Sequence, residues 1–141
     1  MSTQSNKSIL VKDIQLSTSD FPVVGEKTML KETLEAMNEY RLGIACIVNK
    51  ENELLGVVTD GDIRRKILKV QKPFAALLVD DALEYSVKTP LTIAADSTLD
   101  SAVQLMGEKQ IWDLPVLDEQ KRLLGLLHLH PAVNALLSAA K

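Results

Sequence analysis

Aromatic side chains are scarce, at 4% of 141 residues. Any core must therefore be assembled from Leu, Ile, Val and Ala, within a hydrophobic content of 46%. Cysteine is reduced to Cys46 alone, which excludes an internal disulfide and suits a reducing cytoplasm. Neither sign of charge dominates: 16 basic and 19 acidic residues leave a net charge of −3. That balance gives no reason to expect nucleic acid or an anionic membrane as a partner. No apolar run approaches the roughly 20 residues needed to span a bilayer, and no signal peptide is visible. The first eight residues, MSTQSNKS, are polar. They are expected to form a flexible terminus, 1–8, or partly a cloning remnant.

Catalytic motifs are missing as well. There is no Walker A loop, GxGxxG, GxSxG or HExxH. An EF-hand fails because Gln71 stands where Asp60 and Asp62 would require the closing Glu. Cys46 lies within IACIV and reads as a small buried hydrophobe. The chain alone is expected to be no enzyme and to hold no metal or cofactor.

What is present is a repeat. Thr28–Leu68 aligns with Ser97–Leu137 at a constant offset of 69, with seven identities among 41 pairs, including Gly56 with Gly125. Apolar positions match more widely, as in Leu34/Val103, Ile47/Val116 and Val58/Leu127. Matched burial at constant offset predicts one fold used twice. Each half reads strand, helix, strand, strand, helix. Phe21–Val24 and Leu91–Ala94 are short apolar strands, and Thr28 and Ser97 sit where N-caps belong. Leu30, Leu34 and Met37, like Leu99, Val103 and Met106, follow at helical spacing. Hairpins then turn at NKENE and DEQKR. The hairpin strands lack strict alternation, so both sheet faces should be covered. Final helices are expected from about Asp62 to Lys69 and from about Pro131 to Ala139; proline is tolerated in a first turn. The predicted division is 9–69, a helical connector 70–89, and 90–141.

The candidate pocket lies at the end of the first hairpin, in GVVTDGDIRR. Gly56 admits close approach of a backbone or a ligand. Thr59 offers a hydroxyl at the strand end. Asp62, at the expected N-cap, can accept from vicinal hydroxyls such as a ribose diol, and the helix start favours a phosphate. The plain alternative is that Asp62 only caps the helix and Asp60-Gly61 only makes a turn. Of Arg64 and Arg65, one is expected to face solvent; the other, taken as Arg65, could reach a phosphate or a sugar carboxylate bidentately. In the second half His128 and Pro131 replace Thr59 and Asp62. Pro131 cannot hold a diol, so one polar site is expected. His128 and His130 alternate along a strand end and face one side; they are partly exposed bystanders or anion binders across the cleft. Two histidines supply only half a tetrahedral metal set. Trp112 aligns with Gly43 and suits packing, a partner surface or stacking on a base.

This organisation resembles a CBS domain pair, or Bateman module, from about Ile9 to Leu137. The carriers are Gly56-Val-Val-Thr59 with Asp62, and the second hairpin PVLDEQKRLLGLL. The resemblance implies an α+β fold of tandem CBS repeats related by a pseudo-twofold axis. It implies a nucleotide ligand, with Thr59 and Asp62 at phosphate and ribose and main-chain atoms of Gly43, Ile44 and Ala45 at the base. It also implies homodimers held by the CBS helices. TDGDIRR with LLGLLHLH is most similar to the regulatory part of arabinose-5-phosphate isomerases, which serve lipopolysaccharide synthesis. A catalytic sugar-isomerase domain would then be a partner, and the CMP-activated sugar 3-deoxy-manno-octulosonate a candidate ligand. A similar stretch occurs in CBS pairs fused to sugar nucleotidyltransferases. The contrasting expectation is a ligand-free dimerisation or interaction module.

Overall fold

The structure, a computed structural model, describes residues 8–140; the expected flexible terminus 1–8 therefore lies, except for Ser8, outside the described residues. The first half runs β1 (Val23–Gly25), α2 (Leu30–Tyr40), β2 (Ile44–Val48), β3 (Leu54–Thr59) and α3 (Asp60–Lys69), after a short α1 (Val11–Ile14). The connector holds α4 (Phe74–Leu78) and a 3₁₀ turn, Ala82–Tyr85. The second half repeats the order with β4 (Ile93–Ala94), α5 (Leu99–Lys109), β5 (Asp113–Leu117), β6 (Leu123–His128) and α6 (Leu129–Ala139). Each half forms a three-stranded sheet of order β1-β2-β3 or β4-β5-β6, its first pair parallel and its second antiparallel. This is the α+β tandem architecture expected from the repeat.

The duplication extends to backbone detail. Arg41 and Gln110 end their helices at φ 56° and 55°, and Asn52 and Lys121 turn their hairpins at φ 65°. A β-bulge falls at Ile47/Val48 and again at Val116/Leu117. The missing alternation in the hairpins is explained by double-sided burial. Ala45 and Ile47 face a core closed by Leu30, Met37, Ile63 and Leu77. Ile44 and Cys46, from the same strand, face a cluster shared by the two sheets, with Phe21, Val57, Leu123 and Leu126. Leu114, Val116 and Leu127 enter the second half's core with Leu99 and Met106.

Three expectations need correction. The first-helix caps slip by one residue, to Met29 and Thr98. Thr28 is spent on the preceding turn, where its hydroxyl accepts from Gly25 N–H at 3.0 Å. The final helices begin two residues early, at Asp60 and Leu129. The connector is not one helix but two short pieces, broken at Val79–Asp81.

The segments preceding the repeats are exchanged. Ile9–Leu16, expected in the first unit, packs on the second: Val11 N–H donates to Ser97 O, Leu99 N–H to Ile9 O, and Val11 is fully buried in the second core. Correspondingly, Ala82 N–H donates to Thr28 O, Leu30 N–H to Asp80 O, and Ala82 and Tyr85 sit in the first core. Each exchanged segment ends as a strand-like bridge, Leu16 to Leu126 and Val87 to Val57. Here Gly56 and Gly125 have their reason. A Cβ on Gly125 would lie 2.5 Å from Leu16 O, and one on Gly56 2.9 Å from Val87 O. The close approach at Gly56 is thus made by Ser86 Oγ, at 2.7 Å, and the Val87 carbonyl, not by a ligand.

Candidate functional site

The ends of β3 and β6 open onto a cleft of about 720 Å³. Its first wall comes from Gly43, Ile44, Thr59 and the start of α3; its second comes from Trp112, Asp113 and His128. The volume lies within the range of about 300–1,000 Å³ usual for small-molecule sites.

Thr59 and Asp62 form a reciprocal capping box. Thr59, not Asp62, is the N-cap, because the helix starts at Asp60. Asp62 N–H donates to Thr59 Oγ1 at 3.2 Å, and Thr59 N–H donates to Asp62 Oδ2 at 3.0 Å. The Thr59 hydroxyl also donates to Oδ2, at 2.9 Å. Arg65 Nη2 donates to Oδ1 at 2.8 Å, from a side chain 61% exposed toward a carboxylate only 13% exposed. Capping is therefore real, and it aims rather than removes the carboxylate: two oxygens offer about four acceptor sites, of which three are used here. The helix start is less open than the sequence suggests, since Asp60 N–H donates to Gly43 O. Gly61 lies between these used donors, and the Arg65 guanidinium rests over it, 3.0 Å from where a Cβ would stand. Arg64 lines the cleft too.

Of the predicted residues, the structure brings Gly43, Ile44, Thr59, Asp62, Arg65 and His128 to one cleft. Ala45 is fully buried in the first core and can offer only main chain. His130 is exposed on the first turn of α6 and does not line the cleft; β6 ends at His128, so strand alternation does not carry to it. Trp112 lines the cleft at 67% exposure, which leaves its indole face available for stacking.

Asp113 is the residue that sequence reasoning missed. It pairs in register with His128 across β5 and β6, and its Oδ1 lies 2.7 Å from His128 Nδ1. Burial pushes its carboxyl above the ordinary carboxylate range, and the hydrogen bond with His128 opposes that rise. Two signals were available. The repeat aligns Asp113 with Ile44, a core position, and the hairpin register predicts its pairing with His128. Cys46 lies behind the cleft wall, fully buried; burial, helped by the Asp113 charge, pushes its thiol up to about 12.

Comparison with known proteins matches a CBS domain model to residues 11–69 and 80–130. An uncharacterized protein of Helicobacter pylori strain 26695 is 34% identical over 132 residues, 93% of this chain and 38% of the relative. A protein of Haemophilus influenzae named probable arabinose 5-phosphate isomerase is 34% identical over 117 residues, 83% of this chain and 33% of the relative. The chain thus spans about a third of the length of these relatives. Among solved structures, CBSX2 in complex with AMP superposes with a TM-score of 0.81 at 24% identity, covering 94% of this chain and 99% of that one. The CBS domain pair of MJ0100, in complex with 5′-methylthioadenosine and S-adenosyl-L-methionine, gives 0.76 at 21% identity, covering 96% and 100%.

Proposed function

The chain belongs to the CBS domain family, and from that premise we propose that it is a regulatory module binding one nucleotide in the Thr59–Asp62 cleft. The observation that carries this reading is the polar first wall: a hydroxyl and an aimed carboxylate at a helix start, faced by an exposed Trp112. Asp62 takes the ribose diol, with Arg65 swinging aside; Arg64, Arg65 and the α3 dipole attract the phosphate; the base stacks near Trp112 and the main chain of Gly43 and Ile44. The adenosine compounds bound by CBSX2 and MJ0100 support a nucleoside ligand. Only one such site is proposed, because Pro131 stands where Asp62 stands in the first half.

The parent protein we propose is an arabinose-5-phosphate isomerase, with its catalytic domain outside this chain. The Haemophilus relative supports it, and two thirds of that relative lies beyond the matched span. Under this reading the CMP-activated sugar acid is a feedback ligand, with its carboxylate on an arginine. A homodimer through α3 and α6 is proposed from Leu68 and Leu137, equivalent positions exposed at 74% and 61%.

The other reading, a ligand-free interaction module, is favoured by one observation: Asp62 already has internal partners. Thermal shift with AMP, CMP and the CMP-sugar separates the two. A shift of a few degrees at saturating ligand, abolished by Asp62→Asn, supports sensing. No shift with any nucleotide in the wild type supports the interaction module. Equal shifts with all three would count against the CMP-sugar as the specific ligand.

A further inference from the structure

The two walls of the cleft differ chemically at equivalent positions. Where the first half pairs Ile44 with Thr59, the second pairs Asp113 with His128. Both members of the second pair line the cleft, with side chains 11% and 24% exposed. Placing a carboxylate at a position that takes isoleucine in the sister repeat is costly unless a partner compensates, and His128 Nδ1 is that partner at 2.7 Å. With Nδ1 held by the carboxylate, Nε2 is the nitrogen left to a ligand. In neutral imidazole that atom is an acceptor; in imidazolium it is a charged donor. His128 is the N-cap residue of α6 but makes no side-chain capping bond, so the helix does not occupy its ring.

We propose that His128, positioned by Asp113, is a proton-coupled anion-binding group of this cleft, so that affinity for a phosphate-bearing ligand rises as the medium becomes more acidic. The proposal rests on the nucleotide-site reading above and adds its pH regulation. The charged groups facing His128 are few. Asp113 is on its own sheet, and Asp60, Asp62, Arg64 and Arg65 lie on the opposite wall. Asp62 is paired with Arg65, so the opposite wall is near neutral in sum, and a charge on His128 offsets that of Asp113 and removes the cleft's negative excess. Helices α5 and α6 contribute no charged side chain to the lining.

The test is calorimetry of wild type, His128→Gln and Asp113→Asn, with AMP and CMP as probes and inorganic pyrophosphate as a further anion. Titrations at about pH 5.5 and about pH 8 bracket imidazole titration, and two buffers of different ionisation enthalpy count the protons taken up. The phosphate's own titration is common to all three proteins, so differences between them isolate the imidazole. Wild type should bind AMP about tenfold more tightly at the acid pH, relative to His128→Gln, as one charge-assisted hydrogen bond warrants. It should take up a fraction of a proton that His128→Gln does not. Asp113→Asn, which removes the carboxylate that holds the ring in place, should weaken the coupling. Identical pH profiles and proton counts in wild type and His128→Gln, with AMP bound, would overturn the proposal and leave the nucleotide site standing. Pyrophosphate binding with His128-dependent proton uptake, but no binding of AMP or CMP, would keep the proposal and sink the nucleotide reading. No binding of AMP, CMP or pyrophosphate would sink both.

Discussion

Replacing Gly125 by alanine tests the exchanged-segment packing. Gly125 has no positive φ, so backbone strain is not at issue; space is. Its Cβ would stand 2.5 Å from Leu16 O and 2.9 Å from Gln15 Nε2. The Gln15 amide can turn, but Leu16 O is main chain and accepts from Leu126 N–H at 3.1 Å, while Leu16 N–H donates to Leu126 O at 2.8 Å. To reach ordinary contact at 3.4 Å the carbonyl must retreat by about 0.9 Å, which stretches that pair of bonds. Overpacking costs about 1–3 kcal/mol and a weakened hydrogen bond about 1 kcal/mol. The sum, roughly 2–4 kcal/mol, lowers Tm by about 6–12 °C for a chain of this size. Gly107→Ala is the control: it lies in α5 with nothing within 4 Å of the new Cβ. Helix propensity should raise its stability by about 0.5–1 kcal/mol. Thermal denaturation followed by circular dichroism reads both. A Gly125→Ala variant as stable as wild type would refute the packing of Ile9–Leu16 on the second half.

Other predictions follow from the titratable groups. Because burial raises the Asp113 carboxyl, its ionisation costs stability; that cost is absent below the ordinary value near pH ~4 and grows as pH rises through the raised one. Asp113→Asn should thus melt with wild type in acid and above it at neutral pH, and a lower neutral Tm would contradict the sign. Asp80 is the reverse case. The Lys72 ammonium and then the Tyr85 hydroxyl, both at 2.7 Å, hold its carboxyl below the ordinary range. Its stabilisation is present at neutral pH and lost as pH falls through the lowered value, so Asp80→Asn should flatten the acid side of a Tm-against-pH curve. Cys46 should resist thiol reagents: with its thiol pushed to about 12, only about one molecule in ten thousand is thiolate at pH ~8. Labelling should track unfolding by denaturant, and fast labelling of the native chain would place Cys46 elsewhere than between the sheets. Asp62→Ala should lose about 1 kcal/mol through the capping box, measurable as a denaturant-midpoint shift, with little added by the exposed Arg65 pair.

The repeat made most of the fold legible. Matched apolar positions at the constant offset located both hairpins and both long helices, because burial patterns survive when sequence identity does not. The exchange of Ile9–Leu16 and Asp80–Val87 was not legible, since these segments share no identities and pair with distant strands. The caps slipped because Thr28 had a competing turn to serve, a choice between local partners that spacing cannot rank. Helix α3 began early because Thr59 and Asp62 cap reciprocally, which makes the threonine the cap and the aspartate its third helical residue. In the site, Thr59 and Asp62 stood out because one motif holds both. Asp113 and His128 are 15 residues apart, and only the strand register makes them a pair.

A single nucleotide site formed by the first half's Thr59 and Asp62 is the proposal on which the others depend. Calorimetric titration of the chain with AMP and with CMP tests it most directly. One molecule is expected to bind per chain for at least one of them, with binding lost in Asp62→Asn. Two equivalent molecules per chain, or undiminished binding after that substitution, would contradict it.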